Sequence, residues 1–194
     1  MLELYFIKLS SGLKLIFMKK LHLFNFTFVL AVLLTVPVSL NAQNKRPASY
    51  IASFDRFGPV KIGMTTSQAA RVLGVSVIRD EGYEGADCYY ASPKSKFSDV
   101  AFMMNGKVIV RIDINSKDYM TDKGAKIGDT EARIKQLYKG MYKIYPHKYI
   151  DNAHDIEVPM KGGKYSMIFE TDGKRVTRFR LGKTEQVGFV EGCS

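Results

Sequence analysis

KIGMTTSQAARVLG stands at positions 61–74 and KIGDTEARIKQLYK at positions 126–139. Laid one over the other, Ile62 meets Ile127, Gly63 meets Gly128 and Thr65 meets Thr130. Behind them Ala69, Val72 and Leu73 meet Ile134, Leu137 and Tyr138, the i, i+3, i+4 spacing of one helix face. Thr65 can cap the first helix, and Gln68 three places later completes a capping box. Thr130 can cap the second, with Glu131 favourable in its first turn. The preceding glycine lets an extended chain turn into the helix at a backbone angle other residues avoid.

A second correspondence lies downstream. FMMNGKVIVRIDI at 102–114 lies over FETDGKRVTRFRL at 169–181. Each holds a two-residue hairpin signal, Asn105-Gly106 and Asp172-Gly173. Val108, Val110, Ile112 and Ile114 alternate with Ile109, Arg111 and Asp113, which predicts one apolar face. In the second stretch Phe179 and Leu181 face in while Arg178 and Arg180 face out. Earlier strands fit near DCYYA and HDIEVP. The predicted fold is α+β: two tandem repeats, each a short helix followed by a three-stranded antiparallel meander. The repeats span 57–116 and 117–182, after a polar N-terminal segment at 43–56 and before a closing segment at 183–194. That last segment is expected to add a strand or wrap the sheet edge.

The turn, short helix and antiparallel strands resemble the repeat of the beta-lactamase inhibitory protein family. They are also similar to the small outer-membrane assembly lipoproteins of the SmpA/OmlA type. The resemblance rests on IGMT, IGDT and the strand pattern, and it implies a fold and an extracytoplasmic setting. The inhibitor family has two tandem helix-plus-sheet units whose concave sheet grips an enzyme. This chain departs from both families in having no lipid-acceptor cysteine after the apolar run, no tryptophan and one cysteine pair.

The N-terminus points to the same setting. Met18-Lys19-Lys20 precedes the apolar run LFNFTFVLAVLLTVPVSL, and Asn41-Ala42-Gln43 follows. A basic end, an apolar middle and a small residue before a polar one predict a signal peptide over 18–42, cut after Ala42. Residues 1–17 read as an upstream mis-start. The alternative is an uncleaved anchor, which requires Asn25 and Thr27 to be tolerated in a bilayer. Loss of residues 1–42 removes four lysines and Glu3, so the formal charge falls from +10 to +7. A periplasmic or secreted protein with two cysteines, Cys88 and Cys193, is expected to carry one disulfide. The rival role for Cys193, a nucleophile, needs a base from His147 or His154.

Other chemistries are weak. GKT at 182–184 resembles the end of a phosphate loop, but Thr177 stands where that loop needs glycine. His147, Asp151, His154 and Asp155 in PHKYIDNAHD could offer ligands to a metal, yet their spacing matches no closed site. His147 and His154 are the candidate ligands of a metal-dependent enzyme, the least favoured reading; no catalytic residue and no cofactor is predicted. The densest positive cluster is Lys174, Arg175, Arg178, Arg180 and Lys183. Arg178 and Arg180 fall on one strand face and could meet an anionic envelope polymer. Tyr89, Tyr90 and Tyr165 join those arginines as candidate contacts for a protein partner. The expected function is an exported, non-enzymatic binding protein for an envelope or extracellular protein, with polymer binding as the alternative. Nucleic acid is excluded by the lack of a recognition motif in an exported chain, and membrane contact is expected only through the signal segment.

Overall fold

A computed structural model describes residues 4–8, 14–18, 50–82 and 85–193. The chain forms two units, Met1–Lys45 and Arg46–Ser194. In the first, β1 (Leu4–Lys8) and β2 (Lys14–Met18) pair as an antiparallel hairpin. Apart from Met18, the predicted signal segment lies outside the described residues. No helix among the described residues is long and apolar enough to cross a membrane.

The second unit opens with β3 (Ala52–Ser53), β4 (Arg56–Phe57) and β5 (Val60–Lys61), a small antiparallel sheet. Residues 43–56, expected to be a polar segment, thus include the start of this sheet. Ala52, Phe57 and Val60 are wholly buried, and Phe57 packs edge-on against Tyr119 at 4.8 Å. After β5 comes α1 (Thr66–Leu73), and Gly63 turns the chain into it at φ +95°. Thr65 Oγ1 accepts from the Gln68 amide at 3.2 Å, and Gln68 Oε1 accepts from the Thr65 amide at 2.9 Å. Removing the hydroxyl strands one of the helix's first amides. Thr65→Ala is therefore expected to cost about 1 kcal/mol, read as a lowered urea midpoint with an unchanged slope.

Strands β6 (Val77–Arg79), β7 (Cys88–Pro93), β8 (Val100–Asn105) and β9 (Val108–Ile114) follow. Next comes α2 (Glu131–Leu137), entered through Gly128 at φ +93° and capped by Thr130, whose hydroxyl accepts from the Arg133 amide. Asp129 serves this turn too, accepting from the Lys126 amide at 2.9 Å. Then come β10 (Lys143–Pro146), β11 (His154–Pro159), β12 (Tyr165–Thr171) and β13 (Val176–Lys183), and last the one-turn α3 (Thr184–Val187).

The expected α+β architecture of two tandem helix-and-three-strand repeats is overturned. The protein is mostly β, and its main body is one eight-stranded antiparallel sheet in the order β10-β11-β12-β13-β9-β8-β7-β6. The cause is the pairing of β13 with β9, Phe179 opposite Ile114 and Leu181 opposite Ile112. Backbone groups that would end two separate sheets satisfy each other instead. The short strands β6 and β10 then extend the sheet at its two ends.

One sheet face carries the core, where Phe102, Ile112, Phe169, Phe179 and Leu181 are fully or almost fully buried beneath Ala69, Leu73 and Ile134 of the helices. The alternation expected in β9 breaks once. The β8–β9 register shifts between Met103 and Met104, so Ile109 joins the core cluster and Val110 does not. The closing segment neither adds a strand nor wraps an edge. From Thr184 to Cys193 it folds back over the other sheet face, described next.

A charge-balanced cleft beside a tied C-terminal strap

Residues paired across antiparallel strands share a face, so the register maps the second face directly. One row runs Tyr145, Asp155, Glu170, Arg178. The next runs Lys143, Glu157, Ile168, Arg180, Asp113, Ala101. A third brings Ser166, Gly182, Arg111, Met103 and Tyr90 together. Charge of both signs therefore meets at the centre of the sheet, where β12, β13 and β9 adjoin.

The C-terminal strap lies over this centre. Arg180 donates through Nε to the Val187 carbonyl at 2.6 Å. Arg111 donates through Nη1 to the carbonyls of Phe189 at 2.6 Å and Gln186 at 3.1 Å. Its Nε bonds Asp113 Oδ1 at 2.9 Å, and its Nη2 reaches the Tyr90 hydroxyl at 3.1 Å. Val187 is fully buried. The strap ends in the Cys88–Cys193 disulfide, with Cα atoms 5.4 Å apart and the two cysteines 105 positions apart in sequence. The expected pairing is present, and the nucleophilic alternative for Cys193 falls with it.

Arg178 and Arg180 face away from the core as expected, yet they do not form a free basic surface. Arg180 is 3% exposed and pairs with Glu170; its Nη2 lies 3.6 Å from Asp155. Burial, with Arg111 nearby, holds its pKa below the ordinary arginine value. Arg178 is partly exposed and donates to the same Glu170. Three guanidinium groups (Arg111, Arg178, Arg180) thus stand among three carboxylates (Asp113, Asp155, Glu170), with no cationic excess to attract a polyanion.

The tyrosines divide between faces. Tyr90 lies beside Arg111 on the second face, whereas Tyr89 packs against the core side with the Arg79 guanidinium 3.5 Å from its ring centroid. Tyr165 alternates in phase with Met167 and Phe169 and so belongs to the core side. The five candidate contacts cannot act as one surface.

The histidines separate likewise. His147 Nε2 approaches Glu170 at 3.7 Å, and a ligand atom from each of His147, Asp155 and Glu170 falls within 4.8 Å of the others. Two facts weigh against metal there. His147 Nδ1 accepts from the amides of Tyr149 and Ile150, so a neutral ring carries its proton on Nε2, the atom a metal would need. Glu170 is also already engaged by two arginines. His154 sits across the sheet, its Nδ1 2.8 Å from Glu131 Oε1, and does not meet His147.

Glu131 collects hydrogen bonds from the Thr171 hydroxyl at 2.7 Å, His154 and Lys135. Burial opposes its ionisation, but these three bonds together outweigh it and hold the carboxyl below its usual range. A group lowered in the folded state contributes fully above its unfolded value and loses that contribution as pH falls through the folded one. Glu131→Gln should thus be less stable than the parent protein at neutral pH and converge with it in acid. Urea midpoints measured across pH check this, and a constant difference at all pH values refutes it.

Beside the strap the second face forms a half-open cleft of about 180 Å³, lined by Tyr90, Arg111, Asp113, Asn115, Arg178 and Arg180 among others. On the strap's other side a second cleft is lined by Tyr145, Asp155, Glu157, Arg180 and Val190. Arg180 is shared by both.

The class these features define is a mostly β protein with a disulfide-tied C-terminal strap across its charged sheet face. No family model and no curated protein matches the chain. Among solved structures it is similar to the uncharacterized protein yfeY from Escherichia coli, with a TM-score of 0.44 and 15% sequence identity, over 69% of this chain and 99% of that one.

Proposed function

We propose that this is an exported binding protein, without catalytic activity of its own, that holds a protein partner at the cleft beside the strap. The observation that supports this reading is the cleft's make-up. Its acids and bases hydrogen-bond one another and the strap, which fixes the walls and leaves Tyr90, Asn115 and Arg178 at the rim. Arginine and tyrosine on a rigid support are the residue types that anchor protein interfaces. Export draws support from the disulfide, a bond that persists in oxidising compartments, and from the signal-like pattern at 18–42. Cleavage would fall near Ala42.

The test places a photo-crosslinking amino acid at exposed Asn115 and, as a control, at Lys107 in the β8–β9 turn. Irradiation in the producing cell should give a discrete protein adduct from position 115, weakened by Arg178→Ala. Equal labelling from both positions, or none from 115, defeats the reading. Recovery of the protein in the cytosol with both thiols reduced defeats its export.

A further inference from the structure

The edge of the sheet at β10 combines exposed apolar side chains with exposed lysines. Residues 139–150 read KGMYKIYPHKYI and residues 158–169 read VPMKGGKYSMIF, and neither stretch contains a carboxylate. The fold brings them together, because β10 pairs with β11 while β11 turns into β12 through Met160–Lys164. Met141, Ile144, Tyr145 and Met160 are each about 40% exposed there (38%, 40%, 44% and 40%). A cleft of about 460 Å³ opens between Met141, Tyr142, Lys143, Pro159, Met160 and Lys161. Lys143 and Lys161 line this cleft, and the exposed Lys139 and Lys164 stand close to it along the chain. Among the described residues none of the four makes an ion pair, although Glu157 lies cross-strand from Lys143 and offsets part of its charge.

We propose that this edge docks the protein onto an anionic lipid surface. Charge complementarity selects the partner: lysines without paired acids seek phosphate. The apolar component selects lipid over a soluble polyanion. Exposed methionine, isoleucine and tyrosine gain nothing from a hydrated polymer, but they lose unfavourable water contact when set into the boundary between headgroups and acyl chains. Lysine stems add apolar length while their ammonium groups stay at the phosphates. The arginine cluster of β13 cannot supply this attraction, because its charge is balanced internally. The docking edge shares no residue with the cleft lined by Tyr90 and Asn115, though Tyr145 also lines the second cleft, so either proposal can fail without the other.

Co-sedimentation with vesicles tests it. The protein should pellet with mixed phosphatidylcholine and phosphatidylglycerol vesicles at low salt, less at physiological salt, and not with phosphatidylcholine alone. Lys143→Glu with Lys161→Glu should cut partitioning about tenfold or more. Met141→Ser with Met160→Ser, which leaves every charge in place, should also cut it several-fold. All four positions are exposed, and unchanged thermal unfolding of each variant confirms that the fold is retained. The proposal is overturned by no pelleting, or by equal pelleting with neutral vesicles. It is equally overturned by full binding of the methionine variant together with complete competition from polyphosphate, which assigns the lysines to a soluble polyanion.

Discussion

Gly182→Ala is expected to lower folding stability by roughly 3–5 kcal/mol. Gly182 lies in β13 directly opposite Arg111 of β9, at the pairing that unites the sheet. Its φ of +145° belongs to a region that residues with a side chain rarely adopt. A β-carbon there would sit 2.4 Å from the Val110 carbonyl oxygen and 2.8 Å from the Arg111 Cα. Both neighbours are backbone, so no side chain can rotate aside. Relief requires β13 to draw away from β9, which breaks ladder bonds and shifts Arg111 from the strap carbonyls it holds. Gly162→Ala separates the two causes. Gly162 also has a positive φ, +91°, but open space where the β-carbon would go. It should cost only the backbone component, about 1 kcal/mol. Urea unfolding of both variants decides the matter; equal effects would show that the close approach of β9 and β13 contributes nothing.

That same seam marks the limit of what the chain's pattern discloses. Local signals read well. Thr65 and Thr130 announce their helices by standing before an apolar face, and an even cysteine pair announces a disulfide. The β9–β13 pairing has no local signature, because it joins residues some 67 positions apart and either strand could have ended a smaller sheet. Strands as short as Val77–Arg79 and Lys143–Pro146 carry too few residues for period-two alternation to show, and they form because a neighbouring edge is available. The bulge at Met103/Met104 reverses the phase of β9 without a glycine or proline to mark it.

The site was half legible for a related reason. Alternation correctly turns Arg178 and Arg180 away from Phe179 and Leu181, but facing away from the core is not facing water. What covers Arg180 arrives from residues 187–189, and strand parity says nothing about a later segment folding back. Glu170 shows the limit of the hairpin signal. A two-residue turn at Asp172-Gly173 would set it opposite Arg175; four residues separate Thr171 from Val176, and a register shift beside Glu170 sets it opposite Arg178 instead. His147 reaches that acid only through the long Pro146–His154 loop, whose path no periodicity predicts.

Arg180→Ala is the second change expected to do large damage, about 3–5 kcal/mol. The arginine is 3% exposed and lies between Glu170, 4% exposed, and Asp155, 9% exposed. Truncating it leaves two carboxylates with little water and one fewer partner, and it removes the donor to the Val187 carbonyl. The loss should appear in two measurements. Urea unfolding reports the global deficit, and hydrogen exchange at residues 186–190 reports a strap that opens more often than in the parent protein. A double substitution distinguishes a charge effect from a packing effect. Arg180→Met with Glu170→Gln keeps much of the buried volume while removing one charge of each sign, and it should recover part of the lost stability because a balanced pair is costly to bury at the outset. Recovery without restored protection of the strap would assign the Arg180–Glu170 pair to charge balance and the Nε bond to strap retention. If Arg180→Ala alone were as stable as the parent and its strap amides were equally protected, the guanidinium would be holding nothing, and the clamped strap would lose its physical basis.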